Sequence, residues 1–105
     1  MAAGMNRATL RMYLENGPMI QAIRQKQEIK NIKDALHEAR KTMHDVGINE
    51  AALAAIDDKI GEYGKIKRNY SVLIEDTWGI TWQDESIIAK YIDHDPDELP
   101  EFARF

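Results

Sequence analysis

Asp45-Val46-Gly47-Ile48-Asn49-Glu50-Ala51-Ala52-Leu53 decides how this chain folds. Gly47 stands where a helix ends best, because a residue without Cβ enters the left-handed region without steric cost. Asn49 is a good N-cap for a new helix, and Glu50 puts negative charge in that helix's first turn. Ile48 and Leu53 hold the two positions of a hydrophobic staple across the new N-terminus. One helix therefore stops, the chain turns within about three residues, and a second helix starts. So short a connection makes the two helices antiparallel neighbours.

The flanks are long enough to use that turn. Upstream, residues 18–46 read as one helix, with Pro18 in the first turn, where a missing N–H is harmless. Ile29, Ile32, Leu36, Ala39, Met43 and Val46 follow 3-4 spacing and predict a narrow apolar seam, extended backwards by Ala22 and Gln25 with Ile20 and Ile23 beside it. Downstream, residues 50–78 repeat the pattern through Leu53, Ile56, Ile60, Tyr63, Lys67, Tyr70, Ile74 and Thr77, with Ile66 and Leu73 widening the stripe. The expected fold is all-α: a coiled-coil-like antiparallel two-helix hairpin, with a short N-terminal helix and one or two short C-terminal helices packed at its open end.

The short helices read as follows. Residues 6–15 form one that Asn6 caps, with Leu10, Tyr13 and Leu14 as its apolar face and Asn16-Gly17-Pro18 as its stop. Gly79 breaks the second long helix, and Thr81 with Asp84 resembles a capping box for residues 82–92, which should bury Trp82, Ile88, Tyr91 and Ile92. Asp95-Pro96-Asp97-Glu98 reads as the start of a last short turn and acidic tail over 95–105. Leu10, Tyr13, Leu14, Trp78, Ile80 and Trp82 are expected to cap a compact cluster with Met19, Ile20 and Ile23. The turn end is expected to be thinner.

At 105 residues the chain is read as one small domain over 1–105, a size at which association with copies of itself helps cover apolar surface. An apolar fraction of 44% argues against wholesale disorder. No apolar run approaches the roughly 20 residues that cross a bilayer, so no membrane partner is expected. Met1-Ala2-Ala3-Gly4-Met5 lacks a basic-then-apolar leader, and the expected location is cytoplasmic, or host cytoplasm for a viral protein. The absence of cysteine removes disulfides, thiolate nucleophiles and Cys-type zinc sites together. The net charge of -4 conceals an asymmetry: residues 1–70 carry 12 basic and 9 acidic side chains, residues 71–105 carry 2 and 9.

Two constellations are candidates for function. Lys26, Lys30, Lys33, His37, Arg40 and His44 recur at three- and four-residue steps with Lys41 alongside, a basic stripe down one side of the first long helix that no acid interrupts. Clustered cations attract phosphates or an acidic protein, although a solvated face that keeps a hairpin soluble has the same appearance. The stripe lacks the stacking aromatics of single-strand binders. The second is the line of Gly61 and Gly64 beside Tyr63, Lys67 and Tyr70. Glycine inside a helix costs about 1 kcal/mol relative to alanine, so a pair points to close approach by another chain. Lys67 on the seam reads as a snorkelling side chain or as a polar residue that fixes register.

No motif supports a catalytic site, a metal or a cofactor. Asp93, His94, Asp95, Asp97 and Glu98 match no ligand spacing, and helix capping accounts for Asp95 and Glu98. Ser71 and Ser86 sit in no nucleophile elbow. The sequence thus points to a non-enzymatic interaction module that forms homo-oligomers and binds a protein partner. Small phage or bacterial regulators, inhibitors and assembly factors share such a build. Nucleic acid, a nucleotide or another phosphorylated ligand on the basic stripe is the alternative. A third arrangement has residues 93–101 lying over the stripe and masking it.

Overall fold

Helix ends in this chain are set by the caps that its sequence carries. The computed structural model describes residues 5–95 and contains four helices: α1 (Arg7–Leu14), α2 (Gly17–Asp45), α3 (Glu50–Trp78) and α4 (Trp82–Tyr91). The fold is all-α, and the long helices α2 and α3 pack against each other. The helical turn expected beyond residue 95 lies outside the described residues.

Asn6 caps α1, its Oδ1 accepting the Thr9 N–H at 2.8 Å. Asn16 repeats the device for α2 by accepting from the Met19 N–H at 3.3 Å, so the residue expected to stop one helix starts the next. At the central turn, Ile48 N–H donates to the Met43 carbonyl at 2.9 Å and Gly47 N–H to the His44 carbonyl at 3.1 Å. With Gly47 at φ +79°, this is a Schellman ending. Asn49 Oδ1 then accepts the Ala52 N–H at 2.9 Å and opens α3. Gly79, at φ +66°, closes α3 through one bond to the Glu75 carbonyl at 2.7 Å. Thr81 caps α4, with Oγ1 accepting the Asp84 N–H at 3.4 Å.

The fold divides into two compact units. One is described over residues 5–24 and 73–95, the other over Gln25–Val72. The first holds every buried side chain among the described residues: Met5, Leu10, Met19, Ala22, Ile23, Ile74, Ile80 and Ile88. Tyr13, Leu14, Ile20, Trp78, Tyr91 and Ile92 pack partly buried around them. α1, α4 and Ile80 thus enclose the first turns of α2 and the last turn of α3. Arg24 ties the same unit to the end of α4, donating to the Ile92 carbonyl at 3.3 Å and pairing with Asp93 at 2.9 Å. A guanidinium at a helix C-terminus also complements the negative end of the helix dipole.

Three expected core residues lie outside it. Trp82 is 72% exposed, and Ile66 and Leu73 are also exposed. Trp82 is the first residue of α4, which packs through Ile88 and Ile92 two turns further on; Leu73 stands one residue, about 100° of helix, from the buried Ile74. Met5, ahead of the first helix, is buried instead.

The second unit is the two-helix hairpin itself. None of its residues 25–72 is fully buried. Two helices meet along one seam, and one seam cannot enclose a side chain on all sides.

Candidate functional site

The α3 side of the hairpin seam follows the sequence pattern. Leu53, Ile56, Ile60, Tyr63, Lys67 and Tyr70 are all half-buried. The α2 side does not. From Ile29 onward its half-buried positions are Ile29, Lys33, Leu36, Arg40 and Met43, while Ile32, Ala39 and Val46 are exposed, Val46 at 69%. Both sets have 3-4 spacing and share Ile29, Leu36 and Met43. The helix takes the set that brings two cations inward.

Both cations have a place prepared on α3. Arg40 grips Asp57 with two prongs, Nε to Oδ1 and Nη2 to Oδ2, the second at 3.2 Å. The hydrogen bond and then the charge of Asp57 raise the pKa of Arg40 above its ordinary value. Lys33 lies across Gly64, its Nζ 3.6 Å and its Cε 3.8 Å from where a β-carbon on that glycine would stand. The two pairs are one heptad apart on both helices, seven residues on in α2 and seven back in α3, so they define one register. Long cationic side chains suit such positions because their stems are apolar and their heads reach the rim.

The basic stripe is therefore interrupted. Asp34 accepts from Lys30 Nζ at 3.0 Å on α2 itself, and Asp57 of α3 neutralises Arg40. The Lys30 hydrogen bond, reinforced by the charges of Lys30, His37 and Lys67 against some desolvation, holds the Asp34 carboxyl below the usual carboxylate range. Lys26 is half-buried; His37, Lys41 and His44 are exposed, with His44 Nδ1 3.6 Å from Asp45. Two of its cations, Lys30 and Arg40, thus meet solvent already paired with a carboxylate.

The residues expected to pair two chains have neighbours within their own chain. Gly64 accommodates Lys33, Lys67 lies close enough to Asp34 to help lower its pKa, and the Tyr70 hydroxyl donates to Gln25 Oε1 at 2.8 Å. Tyr63 fills the seam. Gly61 has open space where a β-carbon would go.

Sequence reasoning missed the opposite flank of the hairpin. Ile32 and Ala39 precede Lys33 and Arg40 by one residue, about 100° back around the helix. They emerge, with Ala35 and Val46, on the side away from Asp57 and Gly64. From α3 the 3-4-3-4 series Ala52, Ala55, Lys59, Glu62 and Ile66 joins the same side. Ile32 and Ile66 are 40% and 38% exposed. The only charges of that α3 series pair with each other, Lys59 Nζ to Glu62 Oε2 at 3.2 Å. The sequence pattern had placed Ile32, Ala39 and Val46 in the seam itself, and the structure leaves all three exposed.

Among the described residues no three His, Asp or Glu side chains converge as a metal site would require. No described helix is long and apolar enough to cross a membrane. The chain matches no protein-family model, no curated protein and no solved structure.

Proposed function

We propose that this chain is a non-enzymatic protein–protein interaction module that self-associates, built as a small regulator, inhibitor or assembly factor would be. One observation carries this reading: residues 25–72 bury no side chain fully, while Ile32, Val46, Ile48, Ile66 and Val72 face solvent. Aliphatic surface left in water is stabilised by covering it, at roughly 25 cal/mol per Å².

Mixed charge supports a protein partner over a polyanion. Lys30–Asp34 and Arg40–Asp57 place two carboxylates in the stripe that a phosphate backbone would have to approach. Nucleic acid on Lys26, Lys30, Lys33, His37, Arg40, Lys41 and His44 is the competing reading, and it predicts affinity falling steeply with added salt.

Sedimentation of the purified chain tests self-association directly. The proposal expects the mass to rise above 12.1 kDa between low-micromolar and submillimolar concentration. A mass that stays at the monomer value throughout refutes it.

A further inference from the structure

We infer that the hairpin flank formed by Ile32, Ala35, Ala39 and Val46 of α2 with Ala52, Ala55, Lys59, Glu62 and Ile66 of α3 is the surface on which a second copy of this chain docks. The inference rests on the self-association proposed above and says where it occurs.

The seam itself supplies the first argument. α2 had two heptad phases available, and the structure adopts the one with Lys33 and Arg40 half-buried and Ile32, Ala39 and Val46 exposed. For a hairpin alone in water this is the less apolar choice. It is the favourable choice when the outward set is covered as well, because each side of α2 then meets a surface of its own kind. Asp57 and Gly64 receive the cations, and the aliphatic positions remain for a partner.

Charge identifies the partner. The flank is nearly neutral: at its middle stand one base and one acid, Lys59 and Glu62, already joined at 3.2 Å. A surface holding both signs at its centre is complementary to itself. About a two-fold axis midway between the Ala39–Lys59 and Ala35–Glu62 rows, Lys59 of one copy approaches Glu62 of the other, and the reverse, so two intrachain pairs become a four-membered cluster. A strongly acidic or basic partner would find no such match. Ala35, Ala39, Ala52 and Ala55 flank this centre and let helices approach to the 8–10 Å of close packing. Ile32 with Ile66 at one end, and Val46 at the other, then seal the edges.

Size sets the expected strength. From Ile32 to Val46 the flank runs about 21 Å along α2 and spans two helix diameters, roughly 20 Å. That footprint falls at the small end of protein interfaces, so the dimer is weak and reversible.

The experiment compares the full-length chain with Ala39→Glu and Gly61→Glu by sedimentation equilibrium, with circular dichroism to monitor helicity. Both substituted positions are exposed and helical, so the fold tolerates either change. The inference expects Ala39→Glu to weaken dimerisation roughly a hundredfold, since the symmetric interface receives twice a long charged side chain in place of the alanine that lets the helices approach, and Gly61→Glu to leave it unchanged. A wild-type dimer broken by Gly61→Glu but not by Ala39→Glu overturns the flank while leaving self-association standing. A monomeric wild type overturns both. Should Ala39→Glu lose helicity, single-cysteine variants decide the matter, because the native chain has no cysteine. With a short thiol cross-linker, Ala39→Cys should give covalent dimers and Gly61→Cys should not; equal yields overturn the inference.

Discussion

Replacing the two helical glycines of α3 by alanine separates a packing role from mere tolerance. Neither Gly61 nor Gly64 has positive φ, a conformation confined to Gly47 and Gly79 among the described glycines. A β-carbon at Gly61 would meet nothing within 4 Å. At Gly64 it would touch Lys33 Nζ at 3.6 Å and Cε at 3.8 Å, ordinary van der Waals distances at the end of a flexible side chain. Sterics therefore oppose neither substitution, and the difference in helix propensity, about 1 kcal/mol each, acts in full. Unfolding entropy near 2.1 cal/mol/K per residue gives about 220 cal/mol/K for this chain of 105 residues. Each alanine should then raise Tm by about 4–5 °C, and the double variant by about 9 °C.

Thermal melts followed by circular dichroism at 222 nm measure this, with sedimentation in parallel. Molar mass should be unchanged in both variants at every concentration. A fall in Tm for Gly61→Ala, or loss of association in either variant, would mean that a second chain approaches the glycine line closely. The aliphatic flank would then be the wrong surface.

Three further outcomes follow from the same structure. Gly47→Ala forces a side chain to φ +79° and should lower stability by about 1–2 kcal/mol in chemical denaturation, with Gly47→Asn much milder; equal stability of Gly47→Ala and wild type would contradict the Schellman ending. Ile88→Ala removes a side chain with no exposed surface and should cost about 2–5 kcal/mol, whereas Trp82→Ala should stay within about 0.5 kcal/mol, both read by urea midpoints. Asp34 has its pKa lowered in the folded chain, so its contribution is complete above the ordinary carboxylate range and fades as pH falls through the depressed folded value; Asp34→Asn should match the wild type at acid pH and fall slightly below it at neutral pH, which flattens that acid limb, as urea titrations across pH 2–7 would reveal.

What the sequence disclosed was mostly local. Gly47, Asn49, Gly79 and Thr81 act on backbone groups within four residues, so their chemistry can be read without knowing the fold, and each caps a helix as read. The α3 seam was legible because its apolar residues follow one phase. Trp82 misled because the first residue of a helix lies at the edge of its packing face. Met5 carried no signal, standing ahead of any periodic segment. The aliphatic flank stayed hidden for another reason. Two phases of α2 share three residues, and the choice between them depends on Asp57 and Gly64, 24 and 31 positions downstream of Lys33.

That choice links the fold to the proposed interaction. A hairpin selected for stability in isolation has no reason to half-bury Lys33 and Arg40 beside the seam while Ile32, Ala39 and Val46 are exposed. The Arg40–Asp57 pair is exposed enough that its attraction is screened, so it does not offset the aliphatic contact forgone. What the pair supplies is geometry. It is directional where aliphatic contacts slide, and with the Lys33–Gly64 contact one heptad away it fixes both the register and the rotation of α2. Rotation of α2 in turn decides which residues form the outer surface. The same two cations that interrupt the apolar seam thus hold the alanine-lined flank in one fixed presentation, as an interface must be before a second helix pair can pack on it.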